Sequence, residues 1–428
     1  MNYRKKAPVI KEPVEFDIKL PPCEKITLSN GIEVYSVNLG TEEVVMVNWV
    51  FSAGNWFEEK KAVASATNYL LKNGTSQKSA FQLNEHFEYY GSYLTRACHS
   101  ETAEIVLHCL NKHIETVLPV VAEMITDSIF AEEELATYCQ NTQQRLKVGL
   151  QKSDFVAGRL IDSFLFGENH PYGTYNNLED YAALQRNDLV SFYNQFYKNG
   201  RCVIFVAGKI PANLLEQLEN SFGGLPIRSH KVTEKEVIHA LQPNARKKHF
   251  ITNDPNGVQA AIRIVRPFPN RHHPDFQKAM MLNNVFGGFF GSRLSTNIRE
   301  DKGYTYGIYS YLMGQVKESG WMISTEAGRE VCQATIDEVY KEMELLRNEP
   351  VDDEELQMIR NYMIGTVLGD LDGPFQVMAR WKSLLLNGFD EHYFYKAIEI
   401  IKTVRPEELQ QIANKYLHPE EFYELVVV

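Results

Sequence analysis

The chain lacks the features that mark secreted, membrane-spanning and redox-active proteins. Its six cysteines are scattered, with no Cys-x-x-Cys pair to indicate a zinc ribbon or a redox couple. It has no apolar run of about eighteen residues or more, and its basic N-terminus is not followed by the apolar segment of a secretory signal. We therefore predict a cytoplasmic protein without a membrane partner, and export by a system that needs no such signal stays open.

Positive charge is also in short supply. Lys and Arg number 44 against 55 Asp and Glu, which leaves a net charge of −11. A chain of this charge is repelled over long range by nucleic acids and anionic membranes, so no nucleic-acid partner is expected. The chain has two basic clusters, Lys247–Lys248 and Arg4–Lys6. Both are short, which is typical of ordinary solvent-exposed surface and not of a polyanion-binding site.

The chain is long enough for more than one hydrophobic core, since 428 residues exceed an ordinary single domain. Residues 1–24 contain four prolines, which predicts an extended N-terminal arm. Residues 224–248 are charged and poor in apolar side chains, which is typical of a linker. We predict two α+β domains, residues 25–223 and 249–428.

The ends of these two segments resemble each other. In each, an amphipathic helix leads into an apolar strand, and the matching helix positions are 220 residues apart: Leu189 and Leu409, Asn194 and Asn414, Phe196 and Tyr416. The shared order predicts two copies of one unit. The fold class expected is α+β, with two homologous halves, each a mostly antiparallel sheet with helices packed mainly on one face.

Residues 286–311 hold the most informative pattern. Glycines open this stretch, and the run Ser292–Glu300 then places Leu294 and Ile298 four apart, on one face of a helix. Gly303 ends the helix, and the following residues are rich in strand formers. The pattern predicts loop, helix, turn and strand, with Arg299 at the end of the helix and Tyr306 at the start of the strand.

A guanidinium and a phenol are both hydrogen-bond donors, so Arg299 and Tyr306 suit the binding of a carbonyl oxygen or a developing oxyanion. The alternative is structural. Arg299 would then pair with a neighbouring carboxylate, Glu300 or Asp301, and the tyrosines would pack on the sheet. The residues alone do not decide between the two interpretations.

The motif Gly291-Ser-Arg-Leu-x4-Arg299-Glu-x-x-Gly303-x-x-Tyr306, the two similar halves and the hairpin signal Asn30-Gly31 together resemble the pitrilysin/insulinase family. These are the inverted-motif zinc metallopeptidases, which include the mitochondrial processing peptidases. The resemblance covers nearly everything from residue 25 onward. It implies that Arg299 and Tyr306 contact the substrate carbonyl or the tetrahedral intermediate.

The same resemblance exposes a departure. Active members carry His-x-x-Glu-His, whose histidines bind zinc and whose glutamate activates water. Counting back from the Gly74-Thr75 pair that usually follows it, Ser65, Asn68 and Tyr69 stand at the required positions. The later helix, 138–147, has glutamines where a carboxylate ligand is expected. We therefore predict no metal site in this chain and expect zinc in a partner subunit.

Three functions stay open at this stage. In the first, the chain supplies Arg299 and Tyr306 to a homologous zinc-bearing subunit, and the heterodimer cleaves peptides. In the second, it is a catalytically inactive peptide-binding or scaffold protein of the same fold, for example a homodimer. In the third, it is active alone with zinc, which the missing ligands oppose.

Overall fold

A computed structural model describes residues 11–229 and 237–428. The first ten residues of the expected arm, and residues 230–236 of the expected linker, lie outside the described residues. The described chain forms two compact units. The first unit comprises residues 21–229 and 237–246 with Gly373–Lys382, and the second comprises residues 11–20, Lys247–Asp372 and Ser383–Val428.

The first unit is built on a six-stranded sheet. Its strands are β1 Glu24–Thr27, β2 Glu33–Asn38, β3 Val44–Phe51, β4 Tyr93–Cys98, β5 Ala103–Leu110 and β6 Cys202–Gly208. Its helices are α1 Val63–Leu70, α2 Ala80–Tyr89, α3 Ile114–Asp127, α4 Glu132–Gly149, α5 Ser153–Phe166, α6 Leu178–Ala182, α7 Arg186–Tyr193 and α8 Leu214–Phe222. The strand order is β1-β2-β6-β3-β5-β4. β2 and β6 are parallel, and the other neighbours are antiparallel.

The second unit is built on a five-stranded sheet. Its strands are β7 Lys248–Ile251, β8 Gln259–Phe268, β9 Thr305–Leu312, β10 Ser319–Gly328 and β11 Tyr423–Val427. Its helices are α9 Phe276–Phe286, α10 Cys332–Asn348, α11 Asp353–Gly369, α12 Pro374–Leu386, α13 Glu391–Thr403 and α14 Pro406–Tyr416, and the first nine residues of α12 are counted with the first unit. The strand order is β7-β11-β8-β10-β9.

Apart from the additional strand β1 of the first sheet, the two sheets have the same topology, which confirms the predicted pair of homologous halves. β7 pairs with β11 in parallel, as β2 does with β6, and the remaining neighbours of each sheet are antiparallel. The helices that precede the parallel pair, α7 and α14, begin at Arg186 and Pro406, again 220 residues apart. Leu189 and Leu409 occupy the same buried position in the two copies.

Burial explains why these residues form strands. Every residue of β3 after Val44 is buried, which is the pattern of a central strand covered on both faces. By contrast, β4 and β9 each end their sheet, and within the described residues each has a strand neighbour on one side only. Such edges leave main-chain donors and acceptors available for another chain.

Several elements were absent from the sequence-based expectation. α13 carries the signal that would have revealed it, since Phe394, Ile398 and Ile401 are buried at helical spacing. The edge strand β7 is only four residues long and alternates between exposed and half-buried side chains, so it carries too short an apolar pattern to be predicted as a strand. Among the described residues, no helix combines the length and the apolar character needed to cross a membrane.

Candidate functional site

The predicted loop, helix, turn and strand are present in the second unit. Residues 295–301 form a π-helical segment, and Leu294 and Ile298 are fully buried beneath it. Gly303 adopts φ +67°, a left-handed conformation in which glycine carries no steric penalty. The chain then enters β9, where Tyr306 is 93% exposed. The structure therefore places Arg299 and Tyr306 beside each other, on opposite sides of one turn.

Arg299 connects these two elements directly. Its Nε atom donates to the main-chain oxygen of Tyr306 at 3.0 Å, and Nη1 donates to Glu300 Oε1 at 3.3 Å. The guanidinium also lies over the ring of Phe290, with its carbon 4.1 Å from the ring centroid. The pairing with Glu300 is the structural alternative raised from sequence. The exposed phenol of Tyr306, however, is not packed on the sheet.

Ion pairs and amide hydrogen bonds hold the π-helical segment against its neighbours. Arg293 makes a bidentate contact with Glu355 of α11, at 2.9 and 2.7 Å. Asn297 donates to Glu338 and Glu342 of α10, at 2.9 and 2.7 Å. Bidentate, charge-assisted bonds fix direction as well as distance. The residues around Arg299 therefore give it a defined position.

The glycines before this segment serve close packing. A Cβ atom on Gly287 would lie 2.7 Å from the Cβ atom of Ser310 and 2.8 Å from Leu294 Cδ1. Next to it, Asn283 of α9 accepts hydrogen bonds from Ser310 Oγ at 2.7 Å and from Trp321 Nε1 at 2.9 Å. It also donates to the main-chain oxygen of Ser310 at 2.9 Å. This buried network attaches β9 and β10 to α9.

The positions of the missing zinc motif lie on α1 in the first unit. Asn68 is 2% exposed, and its amide donates to the hydroxyl of Tyr197 at 3.2 Å and to the main-chain oxygen of Glu104 at 3.4 Å. Ser65 Oγ donates to the main-chain oxygen of Ala62 at 3.1 Å. Two of the three positions therefore have polar partners of their own.

Aromatic and cationic side chains surround the third position. The ring of Tyr69 lies 4.9 Å from the ring of Tyr138 of α4, whose hydroxyl is 3.5 Å from Ser65 Oγ. Burial raises the pKa of Tyr138 to about 12, so it stays a neutral phenol at physiological pH. The guanidinium of Arg96 lies over the ring of Tyr69, 5.0 Å from its centroid.

This donor set does not fit zinc. Zn²⁺ in proteins takes thiolate, imidazole or carboxylate ligands, whereas here a hydroxyl, an amide and a phenol occupy the motif positions next to a guanidinium. Across residues 11–229 and 237–428, no group of three or more His, Cys, Asp or Glu side chains is arranged to hold a metal ion.

Sequence reasoning missed Arg96 and Tyr138 at this place. Tyr138 lies on the helix where a ligand was sought, but its role depends on which face of α4 meets α1. Arg96 comes from β4, and nothing in its local sequence shows that this strand lies next to α1. Only the packing of the first unit brings these residues together.

Comparison with known proteins agrees with this fold. The family described as Peptidase M16 inactive domain matches residues 183–363. An uncharacterized zinc protease of Bacillus subtilis, YmxG, is 26% identical over 83% of this chain and 86% of its own length. A probable mitochondrial-processing peptidase subunit beta of Schizosaccharomyces pombe is 23% identical over 66% of this chain and 64% of its own length.

Solved structures show the same fold. The peptidase M16 inactive domain of Pseudomonas fluorescens superposes with a TM-score of 0.84 at 19% identity, over 95% of this chain and 98% of that one. A chain of complex III from Candida albicans superposes with a TM-score of 0.74 at 14% identity, over 94% and 95%. The fold is that of two-halved, peptidase-like α+β proteins. The chain therefore resembles the M16 peptidases, as the sequence predicted, and it lacks the His-x-x-Glu-His motif of their active members.

Proposed function

We propose that this chain is the non-metal subunit of a heterodimeric metalloendopeptidase. It supplies Arg299 and Tyr306 as contacts to the substrate carbonyl, while a homologous partner subunit holds the zinc ion. The substrate class is peptides. We propose that the heterodimer acts in the cytoplasm.

The observation that carries the proposal is the geometry of the donor pair. Tyr306 is 93% exposed on the edge strand β9, and Arg299 is bonded to its main-chain oxygen. At 93% exposure the Tyr306 side chain packs little against its own chain, so its hydroxyl is accessible to a ligand or a partner. Guanidinium and phenol N–H and O–H groups would donate to a substrate oxygen as its negative charge grows.

The open edge of β9 supplies a way to hold the substrate. An extended peptide can add to such an edge through main-chain hydrogen bonds, with side chains alternating on the two faces. The relatives add support, since one of them is a probable beta subunit of the mitochondrial processing peptidase. The first unit of this chain carries a donor set unsuited to zinc, so hydrolysis requires a metal site from another chain.

Isolation of the native complex tests this proposal. The tagged full chain is purified from its own cells, and any copurifying chain is identified by mass spectrometry. We expect a relative with an intact His-x-x-Glu-His motif, about one zinc per heterodimer, and peptide cleavage by the pair but not by either chain alone. Cleavage by the zinc-bearing chain alone, at the rate of the pair, would refute the requirement for this subunit.

A second function is favoured by one comparison. The similar chain from Candida albicans is part of complex III, which indicates that this fold also serves in assemblies. In this alternative the chain binds peptides or other subunits without cleavage, as a homodimer or scaffold. A self-dimer that lacks a zinc-bearing partner and binds peptides without hydrolysing them would support this function over the first.

A further inference from the structure

Arg96 is a partly buried cation next to the degenerate zinc motif. It lies on β4, the terminal strand of the first sheet. Its Nη1 atom donates to the main-chain oxygen of Tyr69, and its guanidinium stacks over the Tyr69 ring at 5.0 Å. Both contacts are to neutral groups. They orient the guanidinium plane without compensating its charge.

No carboxylate compensates that charge nearby. Within residues 11–229 and 237–428, no carboxylate oxygen lies within 4.0 Å of the Arg96 guanidinium. The buried carboxyl of Glu58 acts instead on Cys98, two residues further along the strand. Burial lowers the pKa of Arg96 to about 10, so it stays charged at physiological pH. Lys72 is a second cation near Arg96. Burial lowers the pKa of Lys72, and the positive charge of Arg96 lowers it further.

We propose that Arg96 binds the carboxylate of a peptide that pairs with the open edge of β4. The inference rests on the proposed function, because it presupposes a peptide ligand, and it adds the chemical group that the first unit recognises. A partly desolvated guanidinium with N–H groups left to donate favours a carboxylate through charge-assisted, bidentate hydrogen bonds. The hydroxyls of Tyr138 and Ser65 lie 3.5 Å apart, and the Tyr138 ring is 4.9 Å from the Tyr69 ring, so further polar groups lie near Tyr69.

The position of Arg96 also selects the kind of ligand. A peptide that adds to β4 runs past residue 96, because β4 is paired with β5 on its other side only. The main chain of the peptide forms hydrogen bonds with the unpaired donors and acceptors of β4, and one carboxylate of the peptide reaches the Arg96 guanidinium. This carboxylate belongs either to the peptide C-terminus or to an Asp or Glu side chain.

Peptide binding to the full chain tests the inference. The probes are three fluorescein-labelled decapeptides of alternating threonine and valine: one with a free C-terminus, one amidated, and one amidated with a central aspartate. Fluorescence anisotropy gives each Kd for the wild type, Arg96→Gln, Arg96→Lys and the control Arg186→Gln. Arg186 is also bonded to main-chain oxygens, those of Ile129 and Phe130, but lies on α7.

We expect a carboxylate-bearing peptide to bind the wild type and Arg186→Gln about tenfold more tightly than the plain amide, as a charge-assisted hydrogen bond allows. Arg96→Gln should remove that preference and leave the Kd of the plain amide unchanged, and Arg96→Lys should retain part of it. Whether the free C-terminus or the aspartate carries the preference identifies the source of the carboxylate.

Two results overturn the inference in distinguishable ways. Equal binding of all three peptides, unaffected by Arg96→Gln, refutes carboxylate recognition and leaves peptide binding intact. Binding of none of the peptides refutes peptide capture itself and this inference with it. Thermal unfolding of each variant shows whether it is folded, and Arg96→Lys, which keeps the charge, decides the matter if Arg96→Gln is unfolded.

Discussion

The Arg299 guanidinium is bonded to the main chain of Tyr306 through a 3.0 Å hydrogen bond from Nε. The two residues that the sequence motif separates by seven positions are thus joined, from the side chain of Arg299 to the main chain of Tyr306. This coupling means that Arg299 both presents its own donors and fixes the start of β9. Substitution of either residue should therefore affect the same step.

Removal of the Arg299 or the Tyr306 donor should slow peptide cleavage by the proposed heterodimer. Tyr306→Phe and Arg299→Ala should each lower kcat by about 10²- to 10³-fold, the range for loss of one oxyanion donor. The pair should still assemble, since Tyr306 is 93% exposed. Steady-state peptide cleavage and size-exclusion chromatography measure the two properties.

Tyr309→Phe is the matched control, because Tyr309 is a second phenol on β9 and is 58% exposed. It should leave kcat unchanged. Equal losses in Tyr306→Phe and Tyr309→Phe would indicate that the strand, rather than the donor pair, matters. Unchanged turnover in Arg299→Ala and Tyr306→Phe would exclude the assigned role.

The buried Asn283 network should contribute to the stability of the second unit. Asn283→Ala leaves Trp321 Nε1 and Ser310 Oγ without this acceptor, so we expect a loss of about 3 kcal/mol in the free energy of unfolding. Asn284→Ala is the control, because within the described part of the chain that amide bonds to its own helix, at the main-chain oxygen of Met280. Urea unfolding should show a clearly larger loss for Asn283→Ala, and equal losses would contradict the network's role.

Restoring the motif residues should not restore a zinc site. In the triple variant Ser65→His, Asn68→Glu, Tyr69→His, the Arg96 cation remains beside position 69, and residues 138–147 of α4 still lack a carboxylate ligand. We expect no stoichiometric zinc by metal analysis of the purified variant. Asn68→Glu alone should lower the unfolding free energy by about 3 kcal/mol, because it buries a charge beside a main-chain oxygen.

One zinc bound per triple-variant chain would show that the surroundings of α1 tolerate the metal. The single variant Tyr69→His serves as the stability control, since Tyr69 is 40% exposed. Its unfolding free energy should change by less than about 1 kcal/mol.

Glu58 should make stability fall as pH rises. Burial raises the pKa of Glu58 from 4.5 to about 7, although the N–H group of Ala64 donates to it. Because the folded-state pKa lies above the unfolded one, the folded state binds the extra proton between pH 4.5 and about 7. The loss of unfolding free energy caused by ionised Glu58 is therefore absent below pH 4.5 and complete above about pH 7.

Glu58→Gln should remove this penalty while keeping an acceptor for Ala64. Relative to the wild type, the variant should gain about 2 kcal/mol of unfolding free energy between pH 5 and pH 8. Urea unfolding at the two pH values measures the gain. A difference between variant and wild type that does not change with pH would contradict the raised pKa.

Particular residues show how far sequence reasoning reached. Leu294 and Ile298, four residues apart, correctly predicted the buried face before Arg299, and Gly303 marked the turn. The matching of Leu189 with Leu409 predicted the repeat that the two sheets confirm. These signals are local, since each depends on the spacing of side chains along one element.

By itself, the sequence predicted the two-halved α+β fold, the resemblance to M16 peptidases, the replacement of the zinc ligands, and the helix, turn and strand that carry Arg299 and Tyr306. Periodicity, glycine placement and ligand chemistry are properties of neighbouring residues, so they can be read along the chain. Tertiary structure alone decided that Arg96 and Tyr138 flank Tyr69. It also decided that β4 and β9 end their sheets. Both depend on strand order and helix packing, which join residues that are far apart in the chain.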